Sequence, residues 1–278
     1  MKFVSLSAAV FALLIGLPPF SAHAANGSSS LGDQLGADGR FVVNSAVNDS
    51  YDFFTAPLLL GQALRTPAFY YTLLGAGAAL GTGFALDNTV YGHLRGMSSS
   101  VGTVLEDVPT FGMLGVTALT YGWGLYTDNQ RTRQFMITTS EGAAVGAAFT
   151  FAFKYGFARA RPYRGNGRWA FWDNGESFVS GHATPAFALA CGLSEYADNN
   201  WMVAVPAYGA ATAVGIGRIG TGAHWLSDVV GSALLGIGST EMVLYFHKQQ
   251  LEHPSSWQIF TAGAPSGQGG GAGVSYDW

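Results

Sequence analysis

Val203-Ala-Val-Pro-Ala-Tyr-Gly-Ala-Ala-Thr-Ala-Val214-Gly215-Ile-Gly217-Arg218-Ile-Gly220-Thr-Gly222-Ala-His224-Trp-Leu-Ser-Asp228 admits two readings, and the choice between them decides the fold. Gly215, Gly217 and Gly220 have the spacing of a dinucleotide-binding loop, a pattern that needs a strand before it and a βαβ unit around it. The run from Val203 to Val214 is rich in Ala and Gly and reads instead as a buried helix, which argues against that loop. If the chain is helical again from Trp225, His224 and Asp228 form an i, i+4 pair. The carboxylate then holds one imidazole nitrogen and leaves the other free to react. Gly217, Gly220 and Gly222 in the loop before that helix would let the backbone turn tightly and bring Arg218 to the same point.

Upstream, Ser177-Phe-Val-Ser180-Gly181-His182-Ala-Thr-Pro185 precedes an apolar run from Ala186 to Leu193. Proline is tolerated in the first turn of a helix, so Ser180, Gly181 and His182 are expected at or just before a helix N-terminus, where free N–H groups attract anions. His182 there has the position of a general acid. Further upstream the apolar run Gly142 to Phe153 leads into Lys154-Tyr-Gly-Phe-Ala-Arg-Ala-Arg161-Pro162. Lys154 and Arg161, two helical turns apart, are predicted to share a face, with Pro162 ending the element. Each cluster alone has an ordinary structural reading: a stabilising His–Asp pair, an N-cap, cations at a helix C-terminus. Together, in a chain with 13 Lys plus Arg and six His, they point to phosphoryl transfer through histidine, with Lys154, Arg161 and Arg218 facing the charged equatorial oxygens.

The three clusters resemble the signature of the type 2 phosphatidic acid phosphatase superfamily, which reads Lys-x6-Arg-Pro, then Pro-Ser-Gly-His, then Ser-Arg-x5-His-x3-Asp. The first is complete here as Lys154, Arg161 and Pro162; Val179 replaces the proline of the second and Gly217 the serine of the third. The resemblance covers about residues 65 to 246. It implies that His224 is the nucleophile forming a phosphohistidine, that Asp228 positions it, and that His182 is the acid for the leaving group and then the base for water. It also implies that Lys154, Arg161, Arg218, Ser180 and the Gly181 amide hold the phosphoryl oxygens. Val179 should alter loop geometry modestly. Gly217 removes a hydroxyl from the phosphate neighbourhood, a loss of about 1.5–3 kcal/mol at most.

Charged residues are 11% of the 278 and hydrophobic ones 49%, against about 25% charged in ordinary globular chains. That depletion points to a membrane or to unusually buried helices. The net charge of −4 gives no case for a nucleic-acid partner. Cys191 is the single cysteine, which excludes an internal disulfide framework. His93, His247 and His253 stand without Cys, Asp or Glu at ligand spacing and His23 lies in the leader, so no metal or other cofactor is expected. Glu141 reads as a partly buried polar residue, with pairing to a site cation as the alternative. Tyr163, Trp169, Phe171, Trp172 and Phe178 either pack the loop between the first two clusters or wall a pocket for an apolar substrate tail.

Lys2, the apolar stretch Phe3 to Leu17 and Ala22-His-Ala24 have the layout of a secretory signal peptide, 1–24. A flexible polar segment is expected at 25–45, a helical domain at 46–253 and a tail at 254–278. Ala46 to Leu64 reads as a short amphipathic helix. Apolar helical runs at 67–86, 109–126, 134–157, 183–197, 201–216 and 224–247, with a turn at Asp198-Asn-Asn200, then make an all-α, six-helix-type bundle with the site at one end. Alternation in Trp257 to Ala262 and Val274 to Trp278 suggests a small β-hairpin acting as a packing flap. Several runs approach the roughly 20 apolar residues a membrane span needs. With a cleaved leader, three spans before Lys154 would turn the site inward. The sequence therefore places the bundle in the bacterial periplasm, attached to a membrane surface, or in the envelope membrane with its site facing the periplasm. The expected function is metal-independent hydrolysis of phosphomonoesters or pyrophosphates, with a phosphorylated lipid or small molecule as partner. The alternatives are a non-specific acid phosphatase on small soluble esters, a vanadate-binding haloperoxidase, and a non-catalytic anion-binding envelope protein.

Overall fold

The computed structural model describes residues 29–252, 257–263 and 270–276. The expected leader and His253 lie outside the described residues. The elements are α1 Leu31–Ala63, α2 Pro67–Leu94, α3 Ser99–Tyr126, α4 Gln130–Phe157, a 3-10 turn Pro162–Arg164, α5 Ala183–Tyr196, α6 Trp201–Gly220, α7 Leu226–Glu252, β1 Trp257–Gly263 and β2 Gly270–Tyr276. The strands pair antiparallel, with Trp257 opposite Tyr276 and Gly263 opposite Gly270.

Local chemistry sets the helix starts. Ser98 accepts from the Val101 amide at 3.3 Å, Asn129 from the Thr132 amide at 3.1 Å and Asn200 from the Met202 amide at 3.0 Å, each satisfying a donor that the helix leaves open. Pro67 opens α2 in the first turn, where its missing N–H costs nothing. The bundle is built around α5, whose residues are almost all buried against α4, α6 and α7. Phe187, Leu189, Val214 and Ile219 are among its core side chains, each worth about 1.5–3 kcal/mol when fully buried. Gly236 lets α7 touch α5 so closely that a Cβ there would meet the Thr184 carbonyl oxygen.

The helical bundle agrees with the sequence expectation, and the short helix expected at Ala46 to Leu64 is the second half of a longer one that joins the six. Residues 25–45 were expected to be flexible, yet from Leu31 the chain is part of a helix that continues without a break to Ala63. Ser30 and Asp33 cap its start reciprocally, and Gln34, Asp38, Ser45 and Asp49 are buried: Asp38 accepts from Arg133 at 2.9 Å and from the Tyr121 hydroxyl at 2.8 Å. Polarity that suggested solvent is the polar face of a packed helix. The run expected from 109 starts at Ser99, because Glu106 turns into the bundle and Pro109 is carried inside the helix. α6 likewise continues past 216 to Gly220.

The α2 helix differs from the rest. Only its Gly83 and Asp87 are buried, and Tyr71, Leu73 and Leu74 are exposed. α2, α6 and α7 are each long and apolar enough to cross a membrane.

Candidate active site

α4 ends at Phe157, where Ala158 takes a left-handed conformation with φ of 42° and donates its amide to the Lys154 carbonyl. The chain then folds back. The Ala160 amide donates to Ala170 at 2.8 Å, and the Ser177 amide donates to Arg159 at 3.0 Å. Arg161 is therefore extended, at φ −78° and ψ 151°. The expected shared helix face with Lys154 does not form, because the helix stops before Arg161. The loop brings the two cations together instead.

A cavity of about 270 Å³ at this end of the bundle is lined by Phe151, Lys154, Tyr155, Arg161, Glu176, Gly181, His182, Arg218 and His224. Lys154 Nζ donates to the Glu176 carbonyl at 2.6 Å, and Arg161 Nη2 lies 3.8 Å from the Glu176 carboxylate. Arg218 Nη1 donates to Glu106 Oε2 at 2.7 Å, while its Nε–H is buried without a protein partner. Ser180 stands behind the cavity. It is fully buried and its hydroxyl accepts from the Ala183 amide at 3.3 Å, so it caps α5 and shapes the Gly181–His182 turn.

His224 is held by a backbone group. Its Nδ1 lies 2.7 Å from the Ser177 carbonyl oxygen. A carbonyl only accepts, so Nδ1 carries the hydrogen and Nε2 keeps a free lone pair. The expected direct bond to Asp228 is absent: its Oδ2 is 3.7 Å from Nδ1, beyond hydrogen-bond reach. Asp228 Oδ2 accepts instead from Ser177 Oγ at 2.5 Å and from the Trp225 amide at 2.7 Å. The carboxylate thus fixes Ser177, and the Ser177 carbonyl fixes His224. Gly217 and Gly220 are helical rather than part of the loop; Gly222, at φ 73°, makes the turn. The Ala223 and His224 amides then both donate to the Arg218 carbonyl, which draws His224 back onto Arg218.

Burial pushes the His224 imidazole below its ordinary pKa, against the pull of the Asp228 carboxylate. His182 is pushed down as well, first by partial burial and then by the Arg218 charge, while Glu106 and Asp107 oppose the shift.

Several residues of this region escaped sequence reasoning. Arg159 is wholly buried and donates to Asp228 Oδ1 at 2.5 Å, Ser227 Oγ at 2.7 Å, Asp87 Oδ2 at 2.7 Å and the Arg168 carbonyl at 2.6 Å. Its guanidinium carbon lies 5.0 Å from the Phe84 and Phe171 ring centres and 5.5 Å from that of Trp225. The aromatics after Pro162 are drawn into this packing: Trp169, Phe171 and Phe178 all contact Phe84. Phe151 and Tyr155 of α4 supply the apolar cavity wall instead. Arg159 stood in the first cluster, but nothing local marks Asp87 as its neighbour in space, or Glu106 as that of Arg218.

Asp49, Glu141 and His247 form the group with metal-ligand chemistry among the described residues. Contrary to expectation, His247 has carboxylates beside it: Asp49 at 3.0 Å and Glu141 at 3.4 Å, with its Nδ1 2.9 Å from Thr138 Oγ1. The group joins α1, α4 and α7 and sits roughly 20 Å from Lys154 along α4, at 1.5 Å rise per residue, so it is separate from the cavity.

The PAP2 superfamily matches residues 136–252, the stretch that holds all three clusters. A lipid A 1-phosphatase of Porphyromonas gingivalis is 30% identical over 140 residues, covering 50% of this chain and 29% of that protein. The chain therefore spans under a third of that relative's length. No solved structure matches.

Proposed function

Residues 136–252 are a PAP2 superfamily segment, and from that premise we propose that the protein is a metal-independent phosphatase that removes phosphate from lipid phosphomonoesters or pyrophosphates through a phosphohistidine. The observation that carries this reading is the shared cavity. It collects His224, His182, Lys154, Arg161 and Arg218 around one small volume, with an Arg218 N–H buried and unanswered. A tetrahedral oxyanion supplies the acceptors these groups lack.

In this mechanism His224 Nε2 attacks phosphorus while Nδ1–H stays on the Ser177 carbonyl, so the developing imidazolium is met by that carbonyl and by the Asp228 charge behind it. His182 gives its proton to the departing oxygen. It then takes a proton from the water that cleaves the phosphohistidine. Lys154, Arg161, Arg218 and the Gly181 amide hold the equatorial oxygens, and Ser180 keeps the Gly181 turn in place.

A lipid substrate is supported by the exposed Phe151 and Tyr155 at the cavity, by three helices long and apolar enough to cross a membrane, and by the lipid A 1-phosphatase of Porphyromonas gingivalis to which the chain is similar. The bundle is read as membrane-embedded, in a bacterial envelope, with the cavity opening to the periplasm beside the headgroups. The test is phosphate release by the purified full chain in detergent, from a lipid phosphate, a lipid pyrophosphate and p-nitrophenyl phosphate, with His224→Ala alongside. Release that the substitution abolishes, that EDTA leaves intact and that vanadate blocks is the expected result. Release from p-nitrophenyl phosphate alone would reassign the enzyme to small esters, and no release from any of the three would remove the enzymatic reading.

A further inference from the structure

Glu106 comes from α3, outside the family-matched stretch, yet its carboxylate reaches the cavity's Arg218. Oε2 accepts from Arg218 Nη1 at 2.7 Å and Oε1 from Thr221 Oγ1 at 3.3 Å. Glu106 is buried, and Arg218 is 15% exposed in its side chain. The approach of α3 to α6 depends on Gly217. A Cβ there would come within 2.9 Å of the Gly102 carbonyl oxygen, 3.0 Å of Glu106 Cγ and 3.1 Å of Leu105 Cβ. The serine hydroxyl of the resembling signature has no room at this position, and the missing Cβ points at α3 rather than at the anion.

We propose that Glu106 is a positioning residue of the phosphate site: it grips one edge of the Arg218 guanidinium so that the unpartnered Nε–H is presented to the anion, with Gly217 supplying the space that lets it do so. The inference rests on the phosphatase reading for its kinetic consequences but not for its binding consequence.

Charge and positioning make opposite demands here, which makes the proposal testable. Removing a carboxylate beside an anion site should by charge alone tighten anion binding. Loss of an oriented charge-assisted hydrogen bond should weaken it by roughly tenfold or more. A second consequence concerns His182, whose protonated form is disfavoured by the Arg218 and Lys154 charges and favoured by those of Glu106 and Asp107. Without the Glu106 charge its protonated form is less favoured, so the alkaline limb of kcat/KM moves to lower pH.

The experiment titrates vanadate into the purified full chain, wild type beside Glu106→Ala and Glu106→Gln, with circular dichroism to confirm folding. Glu106→Ala is expected to bind vanadate about tenfold more weakly, despite the more positive site. Glu106→Gln, which can still accept from Arg218, should stay within a few-fold of wild type while shifting the alkaline limb. Unchanged or tighter binding by folded Glu106→Ala overturns the proposal. Should wild type bind vanadate but release no phosphate, the phosphatase reading fails while the binding comparison still decides the role of Glu106.

Discussion

The proposed mechanism needs His224 neutral to attack and His182 protonated to release the leaving group, and the protein pushes both imidazoles below their ordinary value of 6.5. Activity on the acid side rises as His224 loses its proton; on the alkaline side it falls as His182 loses its own. Both limbs therefore lie on the acid side of an unperturbed pair, and kcat/KM should peak below about pH 6.5. A bound phosphoryl dianion favours both charged forms, so the kcat profile should peak at higher pH than that of kcat/KM. A profile flat from pH 5 to 9 would contradict the assigned roles. At this scale much of the candidate site was legible, because Lys154, Arg161, His182, Arg218 and His224, which line one cavity, carry rare chemistry at recognisable spacing. What the spacing could not show was which acceptor each donor finds. The i, i+4 separation of His224 and Asp228 suggested a direct bond, whereas the loop inserts Ser177 between them. Arg159, Asp87 and Glu106 depend on contacts across 69, 72 and 112 positions of chain, which no local pattern encodes.

Among the elements, α1 shows why a polar stretch is a poor guide to disorder. Its Asp38 meets Arg133 with both side chains nearly inaccessible, at 5% and 3% exposure. Removing one partner strands the other charge in the interior, so Asp38→Ala should lower stability by about 3 kcal/mol, read as an earlier melting transition of the full chain in detergent. An unchanged transition would mean that α1 contributes nothing to the fold. The apolar runs of the other helices were visible from composition and periodicity, since burial and hydrophobicity coincide along them. Their ends were less so: Arg161 was placed on α4 because nothing in Ala158 announces a left-handed turn, and Ser99–Val108 was missed because its inward carboxylate resembles a surface charge.

For the molecule as a whole, an interior organised by α5 coexists with an exterior rich in exposed aromatics and leucines such as Phe111, Leu119 and Tyr126. The apolar contacts of α2 lie on one face of its C-terminal half, where Phe84 meets Trp169, Phe171 and Phe178 and Tyr91 meets Trp225, and there Asp87 ties it to Arg159 and Ser227, and through Arg159 to Asp228. Its N-terminal half, where Tyr71, Leu73 and Leu74 are exposed, has no buried residue. In the proposed membrane-embedded state the surrounding lipid covers this half of the helix, which makes the bilayer an indirect support of the proposed catalyst. Progressive delipidation in a short-chain detergent should silence the enzyme while the helical signal in circular dichroism persists, and returning lipid should restore turnover. Simultaneous loss of the two signals would show instead that α2 needs no such external support.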